Sequence, residues 1–161
     1  MDRLWTPWRF DYIRGIGSSE PGCVFCRIRD EADDEANYVL CRGRSHFVLL
    51  NLFPYTSGHL LIVAGRHIPC LEQATPEELS EISEAAQRCE RALRAEYRPD
   101  GFNMGFNIGR AAGAGVEHHL HMHVVPRWSG DANFLSVVGE TRVLPEELPR
   151  TYARLVPRLR G

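Results

Sequence analysis

Short apolar runs separated by turn residues fill the middle of the chain. Residues 38–42 and 46–52 form two candidate strands around a Gly-Arg-Ser turn, and residues 59–65 (HLLIVAG) are typical of a buried strand. The segment PYTSG at 54–58 is rich in turn-forming residues and separates the second strand from the third. Because the connections are short, the pattern favours an antiparallel meander.

A helical repeat follows over residues 75–98. Thr75 suits the N-cap position, Pro76 the first helical position, and Glu78 completes a capping box. The apolar face consists of Leu79, Ile82, Ala86, Cys89 and Leu93. The pattern predicts one long helix that ends before Pro99.

The remaining residues predict two further strands and a second helix. Residues 102–109 and 119–126 alternate as strands do, and the glycine-rich loop GRAAGAG (109–115) lies between them. A helical pattern covers residues 145–156, and Pro157 is expected to end it. We find no repeat and no second domain, so residues 1–161 are expected to form a single domain.

Composition excludes several classes of function. The 161 residues are 43% apolar and 25% charged, with a net charge of −2, so there is no global basic field for nucleic acid or anionic membrane. All 19 cationic residues are arginine. A P-loop and Schiff-base chemistry both require lysine and are therefore excluded.

The N-terminal residues and the cysteines indicate a cytoplasmic protein. Residues 1–22 lack the apolar core of a signal peptide, no run approaches the roughly 20 apolar residues of a membrane span, and five cysteines do not suit a secreted disulfide scaffold. Residues 1–22 form an arm whose Trp5, Trp8 and Tyr12 require burial. The arm is expected to pack on the chain's own core or to contact a second subunit.

Four of the seven histidines lie within the segment 118–123. Side chains alternate across a strand, so His119, His121 and His123 share one face while Leu120 and Met122 point to the core. Two interpretations remain open for this face. The imidazoles could converge on one metal ion, or the middle histidine could act as a nucleophile at phosphorus, with its neighbours holding its tautomer.

A Cys-x-x-Cys pair, Cys23 and Cys26, allows three interpretations. A redox dithiol normally starts a helix in a βαβ unit, which the pattern does not indicate. Two buried structural cysteines are the second interpretation. Half of a four-ligand zinc site is the third.

The segment HLHMHVV resembles the His-φ-His-φ-His-φ-φ motif of the histidine triad (HIT) family, where φ is an apolar residue. Residues 51–68, with their Gly-His dipeptide, and FNIG before the glycine-rich loop resemble other segments of the same family. The resemblance implies an α+β fold, with an antiparallel sheet, one long helix and a C-terminal helix, assembled as a homodimer. It also implies a small nucleotide as the substrate.

The resemblance assigns roles to individual residues. His121 would form the covalent nucleotidyl intermediate at an α-phosphate, assisted by His119, His123 and His59. Asn51 would hold the ribose and Asn107 the phosphate region. The loop would bind phosphate oxygens through the backbone of Gly113, Ala114 and Gly115; many family members have a serine here, so the leaving-group preference stays open. Arg110 or Arg127 could add positive charge.

Some family members complete a structural zinc site from Cys-x-x-Cys and two histidines. The matching residues are Cys23, Cys26, His67 and His119, so a zinc ion is the expected cofactor. His119 could be a ligand, a catalytic partner or both. The segments RLWTPWR, LNLFPY and PRWSGDANF look most like the bacterial branch akin to diadenosine tetraphosphate phosphorylases, with hydrolase, adenosine phosphoramidase or a nucleotide-binding module as alternatives.

Overall fold

The computed structural model describes residues 22–31, 33–131 and 146–160. The aromatic arm over residues 1–21 and the start of the second predicted helix lie outside these residues. The described helices and strands are α1 (Val24–Asp30), β1 (Val39–Arg42), β2 (His46–Leu50), β3 (Leu60–Ala64), α2 (Pro76–Tyr97), β4 (Gly101–Phe106), β5 (His121–Arg127) and α3 (Leu148–Arg160). Single 3-10 turns cover Leu71–Gln73 and Arg110–Ala112.

The five strands form one antiparallel sheet in the order β1-β2-β3-β5-β4. The expected meander therefore covers the first three strands, and β5 then pairs with β3 so that β4 becomes an edge. In the β3–β5 ladder Leu61 lies opposite His123 and Val63 lies opposite His121. The α+β class predicted from the sequence is confirmed.

The core has one layer on each face of the sheet. Helices α2 and α3 cover the face that carries Val48, Ile62 and Val124. Helix α1 covers part of the other face, where Phe25 and Ile28 pack with apolar residues of β1, β2 and β3. Met122 packs against the first layer, so His121 and His123 point to the α1 side, as the alternation predicts.

Helix α2 begins as its sequence predicts. Thr75 Oγ1 accepts a hydrogen bond from the Glu78 amide, and Glu78 Oε2 accepts one from the Thr75 amide. Glu78 also binds Arg66 through both carboxylate oxygens, at 2.6 and 2.7 Å. The capping box thus ties the start of the helix to the segment that follows β3.

The prediction that Pro157 ends the last helix is wrong. Helix α3 begins at Leu148, three residues later than expected, and continues through Pro157 to Arg160. Leu155 and Leu159 are buried against the sheet, and Arg160 donates to the main-chain oxygens of Val39 and Leu40. Pro157 cannot donate a main-chain hydrogen bond to the preceding turn. Because Pro157 lies in the last turn of the helix, these contacts offset that loss.

Several other elements differ from the sequence prediction. Strand β4 covers Gly101–Phe106 rather than residues 102–109, and β2 ends at Leu50 rather than residue 52. Helix α1 was not predicted; its seven residues bury only Phe25 and Ile28, too few for a clear helical repeat. Strand β5 begins at His121 rather than residue 119, because Leu120 instead bonds to the main chain of Ile68 and Ala64. Within the described residues, no helix combines the length and the apolar character needed to cross a membrane.

Candidate active site and metal cluster

His121 and His123 project side by side from β5, with ring centroids 5.1 Å apart. Their neighbours on the sheet are the apolar residues of β3, and the Phe25 ring of α1 lies 5.1 Å from the His121 ring. His121 is 5% exposed. The two imidazoles thus form a largely dry surface on the α1 side of the sheet.

The main chain fixes the tautomer of His121. Its Nδ1 lies 2.7 Å from the carbonyl oxygen of His119, which can only accept, so Nδ1 carries the proton. Nε2 therefore holds the free lone pair, and it makes no hydrogen bond to any described residue. Burial lowers the pKa of His121, which keeps the ring neutral near pH 7. A neutral imidazole with one directed lone pair is a good nucleophile.

A second chain of hydrogen bonds fixes the tautomers of His59 and His123. The Tyr55 amide donates to His59 Nδ1 at 3.1 Å, so His59 carries its proton on Nε2. That Nε2 lies 2.9 Å from Nδ1 of His123, which accepts. His123 therefore presents Nε2–H, a buried donor without a hydrogen-bond partner among the described residues. Burial, followed by the charge of His121, lowers the pKa of His123 to about 4.

Asn51 supports this chain from the end of β2. Its Oδ1 accepts from the Phe53 amide at 3.0 Å, which orients the amide nitrogen toward His59 Nδ1 at 3.3 Å. The main-chain oxygen of His59 also accepts a hydrogen bond from the main-chain N–H of Asn51. Asn51, the residue expected to hold the ribose, is therefore in contact with His59, the histidine expected to assist catalysis.

Some main-chain amides of the glycine-rich loop already donate hydrogen bonds within the loop's own turn. Gly113 adopts a left-handed conformation with φ of 84°, and its amide donates to the Arg110 carbonyl. The Ala114 amide donates to the Gly109 carbonyl at 3.4 Å. Of the three predicted phosphate donors, only Gly115 has an amide without a hydrogen bond in the described part of the chain. Asn107 follows β4 directly, next to the start of β5.

The two arginines considered as phosphate ligands are already paired with carboxylates. Arg110 contacts Glu117 at 2.8 Å and is 88% exposed. Arg127 contacts Asp131 at 2.6 Å and donates to Asn103 Oδ1 at 2.6 Å. Both ion pairs would have to open, at least in part, for either guanidinium to bind phosphate.

The structure brings Cys23, Cys26, His67 and His119 into one cluster. Their ligand atoms all lie within 4.8 Å of one another. His119 Nδ1 is 3.3 Å from Cys23 Sγ and 3.6 Å from Cys26 Sγ, and His67 Nδ1 is 3.3 Å from Cys26 Sγ. Tetrahedral zinc with two sulfur and two nitrogen ligands requires separations of about 3.3–3.8 Å. The donor set and its spacing therefore fit a metal ion.

Contacts around the cluster hold its ligands in the required orientation. His119 Nε2 lies 2.7 Å from the Ala64 carbonyl, so the proton sits on Nε2 and Nδ1 faces the cysteines with its lone pair. Cys23 caps α1, and Arg29 of that helix donates to the Gly65 carbonyl at 3.0 Å. Burial, and then repulsion from Cys23, raises the pKa of Cys26. A divalent cation would relieve that repulsion.

Two aromatic residues complete the site and were not identified from the sequence. Phe25 places its ring 5.5 Å from His119 and links the Cys/His cluster to His121. The Tyr55 ring is nearly parallel to that of His123, at 6.0 Å and 9°. The available signals were the aromatic Phe25 inside Cys-x-x-Cys, three residues before Ile28, and the aromatic residue in PYTSG.

Comparison with known proteins agrees with this geometry. The HIT domain model matches residues 34–130. The AP-4-A phosphorylase of Mycobacterium tuberculosis is 39% identical over 158 residues, covering 94% of this chain and 80% of that protein. The bis(5'-adenosyl)-triphosphatase of Dictyostelium discoideum is 32% identical, covering 68% of this chain and 72% of that protein.

A solved structure extends the comparison to three dimensions. The Zn-bound histidine triad family protein from Mycobacterium smegmatis is 30% identical, with a TM-score of 0.70, and the match covers 86% of this chain and 94% of that one. The matched domain model, the identities over most of the chain and the shared fold agree. The chain therefore belongs to the histidine triad family.

Proposed function

We propose that the protein transfers or hydrolyses nucleotidyl groups by attack of His121 Nε2 on the α-phosphate of an adenine dinucleotide. The observation that carries the proposal is the 2.7 Å contact between His121 Nδ1 and the His119 carbonyl, which leaves Nε2 as the lone-pair nitrogen. Burial keeps the ring neutral and therefore nucleophilic. Diadenosine tetraphosphate is the favoured substrate, because the relative with 39% identity is named for it.

The first step would form one bond and break another at phosphorus. His121 Nε2 bonds to the α-phosphorus as the bond to the leaving nucleotide's oxygen breaks, and the ring becomes cationic. The His119 carbonyl then stabilises that charge through the retained Nδ1–H contact. His123 Nε2–H is suited to donate to the departing oxygen, since His59 holds its Nδ1 as an acceptor.

The second step would release the nucleotidyl group to an acceptor. An oxygen of inorganic phosphate or of water attacks the phosphorus, the bond to Nε2 breaks, and His121 returns to its neutral form; when water attacks, its surplus proton passes to solvent. Asn51 would hold the ribose, while the Gly115 amide and Asn107 would contact the phosphate chain. The amides of Gly113 and Ala114 would contribute only if the turn that they close loosens.

Inorganic phosphate is the favoured acceptor, because the Mycobacterium tuberculosis relative is named a phosphorylase. Water is the second candidate, since another relative is named a triphosphatase. Incubation with diadenosine tetraphosphate, with and without inorganic phosphate, distinguishes the two. ATP plus ADP formed only with phosphate supports phosphorolysis, and AMP plus ATP in both conditions supports hydrolysis. The absence of turnover in both would contradict the proposal.

We also propose that the four-residue cluster holds a structural zinc ion. Cys23, Cys26, His67 and His119 fit the tetrahedral set, and a Zn-bound family member shares the fold. The ion would fix α1 and the start of β5 against each other. Elemental analysis of the purified protein tests this, with one zinc per chain as the expected result.

The sheet supports the proposal of a homodimer paired through β4. At the other edge, Tyr152 and Arg160 of α3 bond to the Val39 carbonyl and cover β1. No described element covers the outer edge of β4, whose Met104 is exposed, and open edges tend to pair. Light scattering should give twice the mass of one chain, and Met104→Arg should reduce the measured mass to that of a single chain.

We also propose that the protein is located in the cytoplasm, which cell fractionation tests.

A further inference from the structure

The positive charge of the described residues is left uncompensated in only a few places. Most arginines contact a carboxylate, as Arg66 contacts Glu78 and Arg94 contacts Glu90. Among the described residues, the arginines without a carboxylate partner are Arg88, Arg91 and Arg98. Two of these three lie in the same cleft.

That cleft lies between α2 and α3. It has a volume of about 350 Å³ and is lined by Arg88, Arg91, Ala92, Ala95 and Arg158. Both helices pack on the sheet face that carries Val124, opposite the face that carries His121 and His123. The cleft is therefore separated from the candidate active site by the sheet.

Most of the guanidinium donors in the cleft are free. Arg91 makes no hydrogen bond to any described residue. Arg88 uses Nη2 to donate to the Leu159 carbonyl at 2.6 Å, which also satisfies one of the last carbonyls of α3. Arg158 contacts Glu96 at 3.2 Å, and Glu96 is shared with Arg154 at the same distance. Glu96 is thus the one carboxylate contacting a cleft arginine within the described chain.

We propose that this cleft binds a small anion that carries phosphate groups. Guanidinium groups form paired hydrogen bonds to phosphate oxygens, and each arginine has five donors. The methyl groups of Ala92 and Ala95 allow close approach but offer no ring on which a base could stack. Recognition therefore falls on the phosphate groups. The overall charge of −2 argues against a broad polyanion such as nucleic acid.

The experiment is a titration of the full-length protein with inorganic pyrophosphate at constant ionic strength, followed by NMR of the main-chain N–H groups and the arginine Nε–H groups. Saturable shifts are expected at Arg91 and Arg158. Arg91→Gln should weaken the pyrophosphate affinity by about fivefold or more, the effect of losing an exposed pair worth about 1 kcal/mol. Circular dichroism checks the fold. Arg91 is exposed, so its replacement removes no hydrogen bond or ion pair to a described residue.

Arg98→Gln is the matched control, because Arg98 caps the same helix, is exposed and has no carboxylate partner in the described chain, but lies outside the cleft. It should leave the affinity unchanged. An equal loss in both variants would mean diffuse surface attraction and would overturn the proposal. Shifts confined to residues 113–115 and the histidines would overturn it as well. The titration of His121→Ala should retain the Arg91 shifts, which separates this site from the proposed function.

Discussion

His119 contacts two sites at once: its ring faces Cys23 Sγ at 3.3 Å, and its main-chain oxygen lies 2.7 Å from Nδ1 of His121. The ring orientation is set by the Ala64 carbonyl and the cysteine cluster. The same residue therefore joins the proposed zinc site to the proposed nucleophile.

Replacement of His121 by alanine should lower the rate of dinucleotide cleavage by at least about 10³-fold, because nucleophile removal usually costs that much. The variant should stay folded, since β5 keeps its ladder to β3. His118→Ala is the control, because His118 is exposed and precedes the strand. A variant at 121 with full activity would contradict the mechanism.

Replacement of Cys23 by serine should abolish zinc binding, since the proposed four-ligand set loses one thiolate. Cys70→Ser is the matched control, as Cys70 is partly exposed and lies outside the cluster. Elemental analysis measures both. His121→Ala should also keep its zinc, and loss of the metal in that variant would instead support a catalytic metal held by the triad.

Acid should destabilise the protein through His123. Its pKa is about 4 in the folded chain, against about 6.5 for an unperturbed histidine. The unfolded state therefore binds more protons between these values, so stability present above pH 6.5 is lost as the pH falls through about 4. Urea unfolding of the parent and of His123→Asn at pH 7.5 and 4.5 measures this effect.

The parent should lose more stability over that interval than His123→Asn, which cannot take up the proton. All other groups are the same in both proteins, so their contributions cancel in the comparison. His118→Asn should behave as the parent does. Equal losses in the parent and His123→Asn would show that His123 is not held neutral.

Gly58→Ala should destabilise the protein by about 1–3 kcal/mol. Gly58 has a φ of +79°, and a Cβ there would lie 2.9 Å from Leu93 Cδ2. Because His59 follows directly, the activity should fall as well. Gly101→Ala is the control, since a Cβ at Gly101 meets no atom within 4 Å. Chemical denaturation should rank the two variants in this order, and equal midpoints would contradict the account.

The sequence predicted the parts of the fold that local patterns encode. The capping box of α2 and the alternation in β5 are local, so Thr75 and Met122 lie where the pattern placed them. Helix α1 was not predicted because its two buried residues give too short a repeat. The predicted end at Pro157 was wrong because the helix continues through burial of Leu159 against a sheet that is distant in sequence.

The site required more than spacing. His59 and His123 are 64 residues apart in sequence, and only the β3–β5 pairing brings them together. The proximity of His59 to His123 and the four-residue cluster were predicted only from the family resemblance. The tautomers depend on main-chain contacts of Tyr55 and His119 and could not be predicted from residue types.

Covalent catalysis by His121 is tested most directly by trapping the enzyme during turnover of radiolabelled diadenosine tetraphosphate and mapping the adduct by mass spectrometry at alkaline pH. One AMP group is expected, bound through an acid-labile bond to the peptide that contains His121, and no adduct is expected in His121→Ala. An adduct on another residue, or an undiminished adduct in His121→Ala, would contradict it.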